Sequence, residues 1–154
     1  MLAASHIVAG GVVGSYIGNP FLAFLVGFIL HFILDAIPHF DTIGDNILSF
    51  KQMSLIIADL LIGVALIIYV IKPDLSPGSP FIWGAVGGML PDLLDNVPFW
   101  RNAFRKSKVG GKIHNFHGKI QSRALENHPF VGMLTQYIIT VSYTHLTLPT
   151  IYSV

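Results

Sequence analysis

Long apolar segments recur along this chain and constrain its fold more than any other feature. Four of them cover residues 2–17, 21–37, 53–71 and 81–97, and a fifth begins at Pro129. A helix needs about 20 apolar residues to cross the hydrocarbon core of a bilayer. Charged residues make up only 11% of the chain, whereas ordinary soluble domains carry about 25%. The sequence therefore predicts an all-α integral membrane protein, a polytopic transmembrane bundle of four full helices and a truncated fifth.

The last residues of the chain do not resemble a natural protein sequence. Residues 141–150 read VSYTHLTLPT, which matches a translation of the transposase mosaic-end adapter used in sequencing libraries. We therefore expect residues 141–154 to be adapter-derived, and we set His145 aside as a chemical group. The single transmembrane domain would cover residues 1–140, with its fifth helix over 129–140, and the natural protein would continue further. The alternative is a genuine β-rich end, since Thr, Tyr and Val favour strands.

Basic residues are concentrated in one segment. Seven of the nine Lys and Arg residues lie between Arg101 and Arg123. Because such residues favour the cytoplasmic side of a membrane, residues 101–127 are predicted to form a cytoplasmic loop with a short surface helix. The N-terminus would also be cytoplasmic, and the membrane would be a bacterial inner membrane. The expected partners are membrane lipids, with anionic headgroups at residues 101–123. We expect no nucleic acid, because only Phe104 and Phe116 supply aromatic rings there.

The first four helices form two similar hairpins. Leu34-Asp35-x-x-Pro38 matches Leu94-Asp95-x-x-Pro98 at an offset of 60 residues, which indicates a duplicated helical hairpin. Glycines recur every fourth residue at 10, 14 and 18, and again at 84 and 88. Stripes of small residues let membrane helices approach closely, so these glycines predict close packing between helices.

Histidine and aspartate residues fall in one layer of this topology, at the cytoplasmic ends of the helices. His31 and Asp35 are four residues apart and share a helix face. Because the chain has no cysteine, a metal would have to be held by imidazole and carboxylate, which suits zinc, manganese or iron. Ionisable residues inside apolar helices are candidates for function. The expected metal ligands are His6, His31, Asp35, His39, Asp59, Asp92 and His128, with Asp41 and Asp95 as candidate catalytic carboxylates.

Two further histidines, His114 and His117, lie in the basic segment. Their spacing of three residues would allow both to bind a metal, but we interpret them as part of a solvated loop on anionic headgroups.

The residue pattern resembles that of the bacterial inner-membrane metal-dependent hydrolases, the LexA-bound membrane hydrolase group, and their small relatives of the zinc-dependent phospholipase C type. The resemblance rests on Ser5-His6 at the start of a Gly-rich helix and on two motifs, His31-x-x-Leu34-Asp35-x-x-Pro38-His39-x-Asp41 and Leu90-Pro91-Asp92-x-x-Asp95. It implies metal-assisted hydrolysis of a phosphodiester or ester at the cytoplasmic leaflet, with a lipid as a candidate substrate. Zinc or manganese would be bound by His6, His31, Asp35 and Asp92, with Asp59 and Asp95 as further ligands or supports, and with Asp41 or Asp95 as general base.

Two non-enzymatic interpretations remain open. The His/Asp layer could be structural and hold the helices together, or it could belong to a metal-binding or transport bundle. Transport needs a polar path across the membrane, and the segments Phe21–Leu30 and Leu60–Tyr69 carry no charged residue. The sequence therefore favours a site at one face of the membrane.

Overall fold

The computed structural model describes residues 1–40, 50–122, 124–125 and 127–151. Within these ranges the chain is all-α and contains no strand. The helices are α1 (Ala3–Ile17), α2 (Pro20–Asp35), α3 (Phe50–Ala65, continued by a π-helical turn over Leu66–Ile71), α4 (Pro80–Asn96), α5 (Arg101–Lys106), α6 (Lys108–Ile120) and α7 (Pro129–Ile151). The predicted all-α class is confirmed.

Local capping signals explain where several helices begin. The side chain of Asn19 accepts a hydrogen bond from the backbone N–H of Leu22, and Pro20 occupies the first turn of α2. Ser79 and Pro80 do the same at the start of α4. A side-chain acceptor satisfies one of the N–H groups that a helix leaves free at its start, and proline costs nothing there because it has no N–H.

Glycine allows α1, α2 and α4 to pack closely, with α4 in contact with both of the others. A Cβ atom at Gly10 would lie 2.5 Å from the carbonyl oxygen of Gly84, and one at Gly88 would lie 2.5 Å from that of His6. Neither distance leaves room for a methyl group, so the predicted role of the glycine stripes at these positions is confirmed. Gly18 acts differently, because it ends α1 with a φ of 73°, a left-handed conformation that glycine adopts without strain.

The basic segment was predicted to be a loop with a short surface helix, and the structure contains more helix there than expected. Residues 101–106 and 108–120 are helical. The Ser107 side chain caps α6 by accepting a hydrogen bond from the N–H of Gly110 at 2.9 Å. α6 is strongly amphipathic, and it packs against α2 and α4, so it brings part of the basic segment to the bundle.

One helical segment in the described part of the chain, Met53–Ile71, is long and apolar enough to cross a membrane. It has 19 residues, and its side chains are mostly exposed. The apolar helices α1 and α2 are shorter, with 15 and 16 residues. The expectation that four helices cross a bilayer stays a prediction. Residues 141–151 continue α7, so the alternative of a β-rich end is wrong there.

Candidate metal centre

Four side chains from three helices meet inside the bundle. His31 and Asp35 come from the last turns of α2, Asp92 comes from α4, and His117 comes from α6. One ligand atom from each lies within 4.8 Å of the others. We call these four residues the His/Asp cluster. Asp92 is the most accessible member, with 19% of its side chain exposed, while the other three are buried.

The spacing of these atoms suits a small divalent ion. Zinc–ligand bonds of about 2.0–2.1 Å place the corners of a tetrahedron about 3.3 Å apart. Asp35 Oδ2 lies 3.1 Å from His31 Nε2 and 2.7 Å from His117 Nε2. The two Nε2 atoms are 3.3 Å apart, and Asp92 Oδ1 lies 3.8 Å from each of them. The observed distances fall on both sides of the tetrahedral value, so the His/Asp cluster could hold a metal ion.

A backbone contact orients His31 toward this position. Its Nδ1 lies 2.7 Å from the carbonyl oxygen of Gly88. A carbonyl can only accept, so Nδ1 carries the proton and donates it, and the lone pair of a neutral ring is on Nε2. Metal-binding histidines commonly use their second nitrogen in this way. The Gly88 carbonyl is within reach because glycine lets α4 approach α1 and α2 closely.

Asp95 supports His117 from the other side. Its Oδ2 lies 3.7 Å from His117 Nδ1 and 2.9 Å from His114 Nδ1, while its Oδ1 accepts a hydrogen bond of 2.8 Å from Arg105 Nε. Burial alone would lower the pKa of His117, but the carboxylates of Asp35 and Asp95 outweigh burial and raise this pKa to about 10. The raised pKa favours the doubly protonated, positively charged ring of His117 at neutral pH, and a metal ion bound at Nε2 would have to displace the proton there.

The second oxygen of Asp35 faces a different set of groups. Oδ1 lies 3.2 Å from Nε2 of His6 and 3.9 Å from Nε2 of His39. The amino group of Met1 donates a hydrogen bond of 2.8 Å to the same oxygen. The rings of His6 and His31 stack with their centres 4.1 Å apart. The predicted residues His6 and His39 are thus beside the His/Asp cluster, on the far side of Asp35.

Other predicted ligands lie elsewhere. Asp59 Oδ2 accepts a hydrogen bond of 2.8 Å from the backbone N–H of Ala4, so this carboxylate caps the start of α1. His128 is exposed before α7. Asp95 has both oxygens engaged by Arg105 and His114, a geometry that suits orientation of His117 better than proton transfer. Asp41 lies outside the described residues.

Sequence reasoning missed His117, which it interpreted as solvated. The signal was present in the spacing of α6. Gly110 and His117, the two buried residues of that helix, are seven residues apart, which is two helical turns. Lys108, Lys112 and Lys119 lie along the same helix, and these three basic residues made the segment resemble a solvated basic loop.

An apolar groove of about 590 Å³ runs beside the His/Asp cluster, between α2 and α6. It is lined by Phe28, Ile29, Phe32, Ile33, Ala36, Phe116 and Ile120. The Phe32 ring separates the groove from the cluster, with its centre 5.2 Å from that of His31 and 5.7 Å from that of His117.

Comparison with known proteins gives no assignment for this site, which is therefore interpreted from its geometry. No family model, curated protein or solved structure matches this chain.

Proposed function

We propose that this protein is a metal-dependent hydrolase that cleaves a phosphodiester or ester bond, in a lipid, at the cytoplasmic face of a bacterial inner membrane. The observation that carries this proposal is the burial of His31, Asp35 and His117 with ligand atoms at the spacing of a metal site. The proposal extends to membership of the inner-membrane hydrolase family that the residue pattern resembles.

The donor set determines the chemistry that the site could perform. A zinc or manganese ion held there would polarise a phosphoryl or acyl oxygen and acidify a bound water molecule. The chain's own residues would set up that chemistry: His31 and His117 would supply nitrogen ligands, while the Asp95 carboxylate faces His117 Nδ1 at 3.7 Å and favours that orientation of the ring. Asp92 is partly exposed and so marks the side from which a substrate would enter. Asp41, from its sequence position two residues after His39, remains the proposed general base.

Two features support a lipid as the substrate. The apolar groove lies on the other side of the Phe32 ring from the His/Asp cluster, so a molecule that reaches past this ring with its polar bond at the cluster could place an acyl chain along Ile29 and Ile33. α5 and α6, the helices that carry Arg105 and His117, also carry the other basic residues of this segment, and such residues attract anionic headgroups by about 1 kcal/mol each. In this arrangement the exposed apolar surfaces of α2 and α3 would face lipid, and four helices would cross the membrane.

A structural role is the second candidate, and one observation favours it. Asp35 faces the Met1 amino group at 2.8 Å and His117 Nε2 at 2.7 Å. These contacts neutralise a buried carboxylate and hold α2 to α6. In that case the buried His and Asp residues would hold the helices together, and the purified protein would contain no bound metal.

Metal content separates the two candidates. The full chain would be purified in detergent, and zinc and manganese would be measured by elemental analysis in the wild type, His31→Ala and His128→Ala. His128 is exposed and is not one of the four residues of the cluster, so His128→Ala is the matched control. We expect bound metal in the wild type and the control, and its loss in His31→Ala. A folded wild type that holds no metal would exclude the hydrolase and favour the structural role.

Activity is the second measurement. Metal-loaded wild type should hydrolyse phosphodiester or ester lipids in mixed micelles, and a chelator should abolish turnover. A metal-loaded protein that turns over neither substrate type would leave a metal-binding protein without the proposed enzymatic function.

A further inference from the structure

α6 presents chemically different faces along its 13 residues. Residues three or four positions apart share a face of a helix. Gly110 and His117 are buried, and they mark the face that packs against the bundle. The rest of the helix carries two outer stripes, one basic and one apolar, and neither stripe has a part in the His/Asp cluster.

The basic stripe runs along the whole helix. Its members are spaced by four, three and four residues, and all of them are exposed: Lys108, Lys112, Asn115 and Lys119. The sequence has no Asp or Glu from residue 97 to residue 125, so this segment contains no acidic residue to balance the lysines. A stripe of this kind attracts an anionic partner.

The apolar stripe has the same spacing, one residue further along the chain. It consists of Val109, Ile113, Phe116 and Ile120. Val109 is 68% exposed and Phe116 is 51% exposed, while the two isoleucines are half-buried. Phe116 and Ile120 also line the apolar groove beside α2. A row of large apolar side chains on a protein surface marks contact with another apolar surface.

Apolar packing attaches α6 to the bundle only in part. On its buried face, His117 contacts Asp35 and Asp95. On the apolar stripe, the ring of Phe116 lies against that of Phe32, with their centres 5.2 Å apart. The groove next to this contact is open, so within the described residues α2 does not close over the stripe.

A basic stripe beside an apolar stripe is the pattern of a helix that lies in the surface of a membrane. An anionic phospholipid combines the two matching chemistries, because its phosphate suits the lysines and its acyl chains suit the apolar side chains. A nucleic acid would match the lysines but would leave Val109 and Phe116 in water. Ile29 and Ile33 of α2 are exposed on the other wall of the groove, so the apolar surface extends from α6 to α2.

We propose that α6 is an interfacial helix that docks on an anionic phospholipid surface, with Val109, Ile113, Phe116 and Ile120 in the acyl layer and Lys108, Lys112 and Lys119 among the phosphate groups. Because the buried face of the same helix carries His117, docking places the His/Asp cluster at the depth of the headgroups. The inference rests on the proposed function only for the presence of a membrane beside α2. It adds the class of lipid next to the site, which is anionic and not zwitterionic.

Spin labels test the docking directly, because the chain has no cysteine of its own. Val109→Cys labels the apolar stripe, and Asn115→Cys is the matched control on the basic stripe, with every lysine kept. The full chain would be placed in phosphatidylglycerol nanodiscs. Electron paramagnetic resonance would then measure collisions of each label with oxygen, which enters acyl chains, and with a water-soluble nickel chelate. We expect the label at 109 to meet oxygen and not nickel, and the label at 115 to meet nickel.

The charge requirement needs a second comparison. Lys108, Lys112 and Lys119 would all be replaced by Gln in the Val109→Cys chain, and the chain with its lysines would also be placed in phosphatidylcholine nanodiscs. Each lysine removed should lower the ratio of inserted to water-exposed label by roughly fivefold. Both conditions should therefore make the label at 109 accessible to nickel.

Other results would overturn the inference. A label at 109 that meets nickel in phosphatidylglycerol means that the stripe is in water, and a label shielded from both reagents means that protein, such as a second copy of the chain, covers it. Insertion that is equal in both lipids and after the lysine replacements would exclude an anionic partner. Circular dichroism checks folding, and Ile113→Cys supplies a second label on the stripe.

Metal content of the same samples separates this inference from the proposed function. Bound metal with α6 in water would leave the hydrolase standing without its interfacial helix. A docked α6 in a protein that holds no metal would confirm the interfacial helix and exclude the hydrolase.

Discussion

Replacement of Gly88 by alanine tests whether helix packing builds the site. Gly88 lies where α4 crosses α1, and a Cβ atom there would be 2.5 Å from the carbonyl oxygen of His6, whereas real Cβ atoms essentially never approach closer than 3.0 Å. The helices would have to separate by at least about 0.5 Å, the difference between these distances, because neither contact atom belongs to a flexible side chain. Overpacking of this kind costs about 1–3 kcal/mol. For a chain of this size, that cost lowers Tm by about 2–12 °C.

Gly118→Ala is the matched control. Gly118 is also in a helix, α6, but nothing lies within 4 Å of its added Cβ. An exposed helical Gly→Ala change gains about 0.5–1 kcal/mol, so Tm should stay level or rise. Thermal unfolding of both variants would be followed by circular dichroism in detergent with a chelator present, so that metal binding does not contribute. Equal Tm values for Gly88→Ala and Gly118→Ala would refute the reasoning.

Three other changes separate the roles of individual side chains. Asp95→Asn should weaken zinc binding by about 10–100-fold, because it removes the charge that orients His117; an unchanged Kd by competition titration would contradict this. Ile33→Trp should fill the groove and lower kcat/KM for long-chain lipids while sparing short-chain analogues, whereas Leu22→Trp, on the exposed part of α2 outside the groove, should affect neither. Asp59→Ala should cost about 0.5–2 kcal/mol of stability through loss of a helix cap and leave the number of metal ions bound per chain unchanged. If the variant loses bound metal, Asp59 is a metal ligand after all.

The helices were predictable because their signals are local. Apolar runs, the Asn19-Pro20 and Ser79-Pro80 starts and the glycine at 18 each act within one or two turns of the chain. The pairing of His31 with Asp35 was equally local, since a spacing of four residues fixes both on one face. These parts of the site follow from helix geometry without knowledge of the tertiary structure.

The predictions that were wrong concern residues whose roles depend on contacts between segments far apart in the sequence. His117 lies in the site because the buried face of α6 packs against α2 and α4. The sequence near His117 does not indicate which helices this face will contact. Asp59 was interpreted as a ligand because an aspartate inside an apolar helix is costly. Its actual partner is the start of α1, where Leu2 at the cap position makes no side-chain hydrogen bond. A helix start without its own capping side chain was the available signal that an acceptor must come from another helix.

The chemistry of His6 bears most directly on whether this polar layer exists for an ion or for stability. A layer that only joined helices would gain from contacts such as those between Asp35 and His117 or between Asp95 and Arg105. A buried imidazole costs about 1–3 kcal/mol of desolvation, and His6 has only the 3.2 Å contact of its Nε2 with Asp35 Oδ1 to offset that cost, since neither ring nitrogen has a well-oriented hydrogen bond among the described residues. An apolar ring could stack on His31 as His6 does and avoid that cost. An ion-binding layer would therefore account for the histidine at this position more fully than a layer that only joins helices.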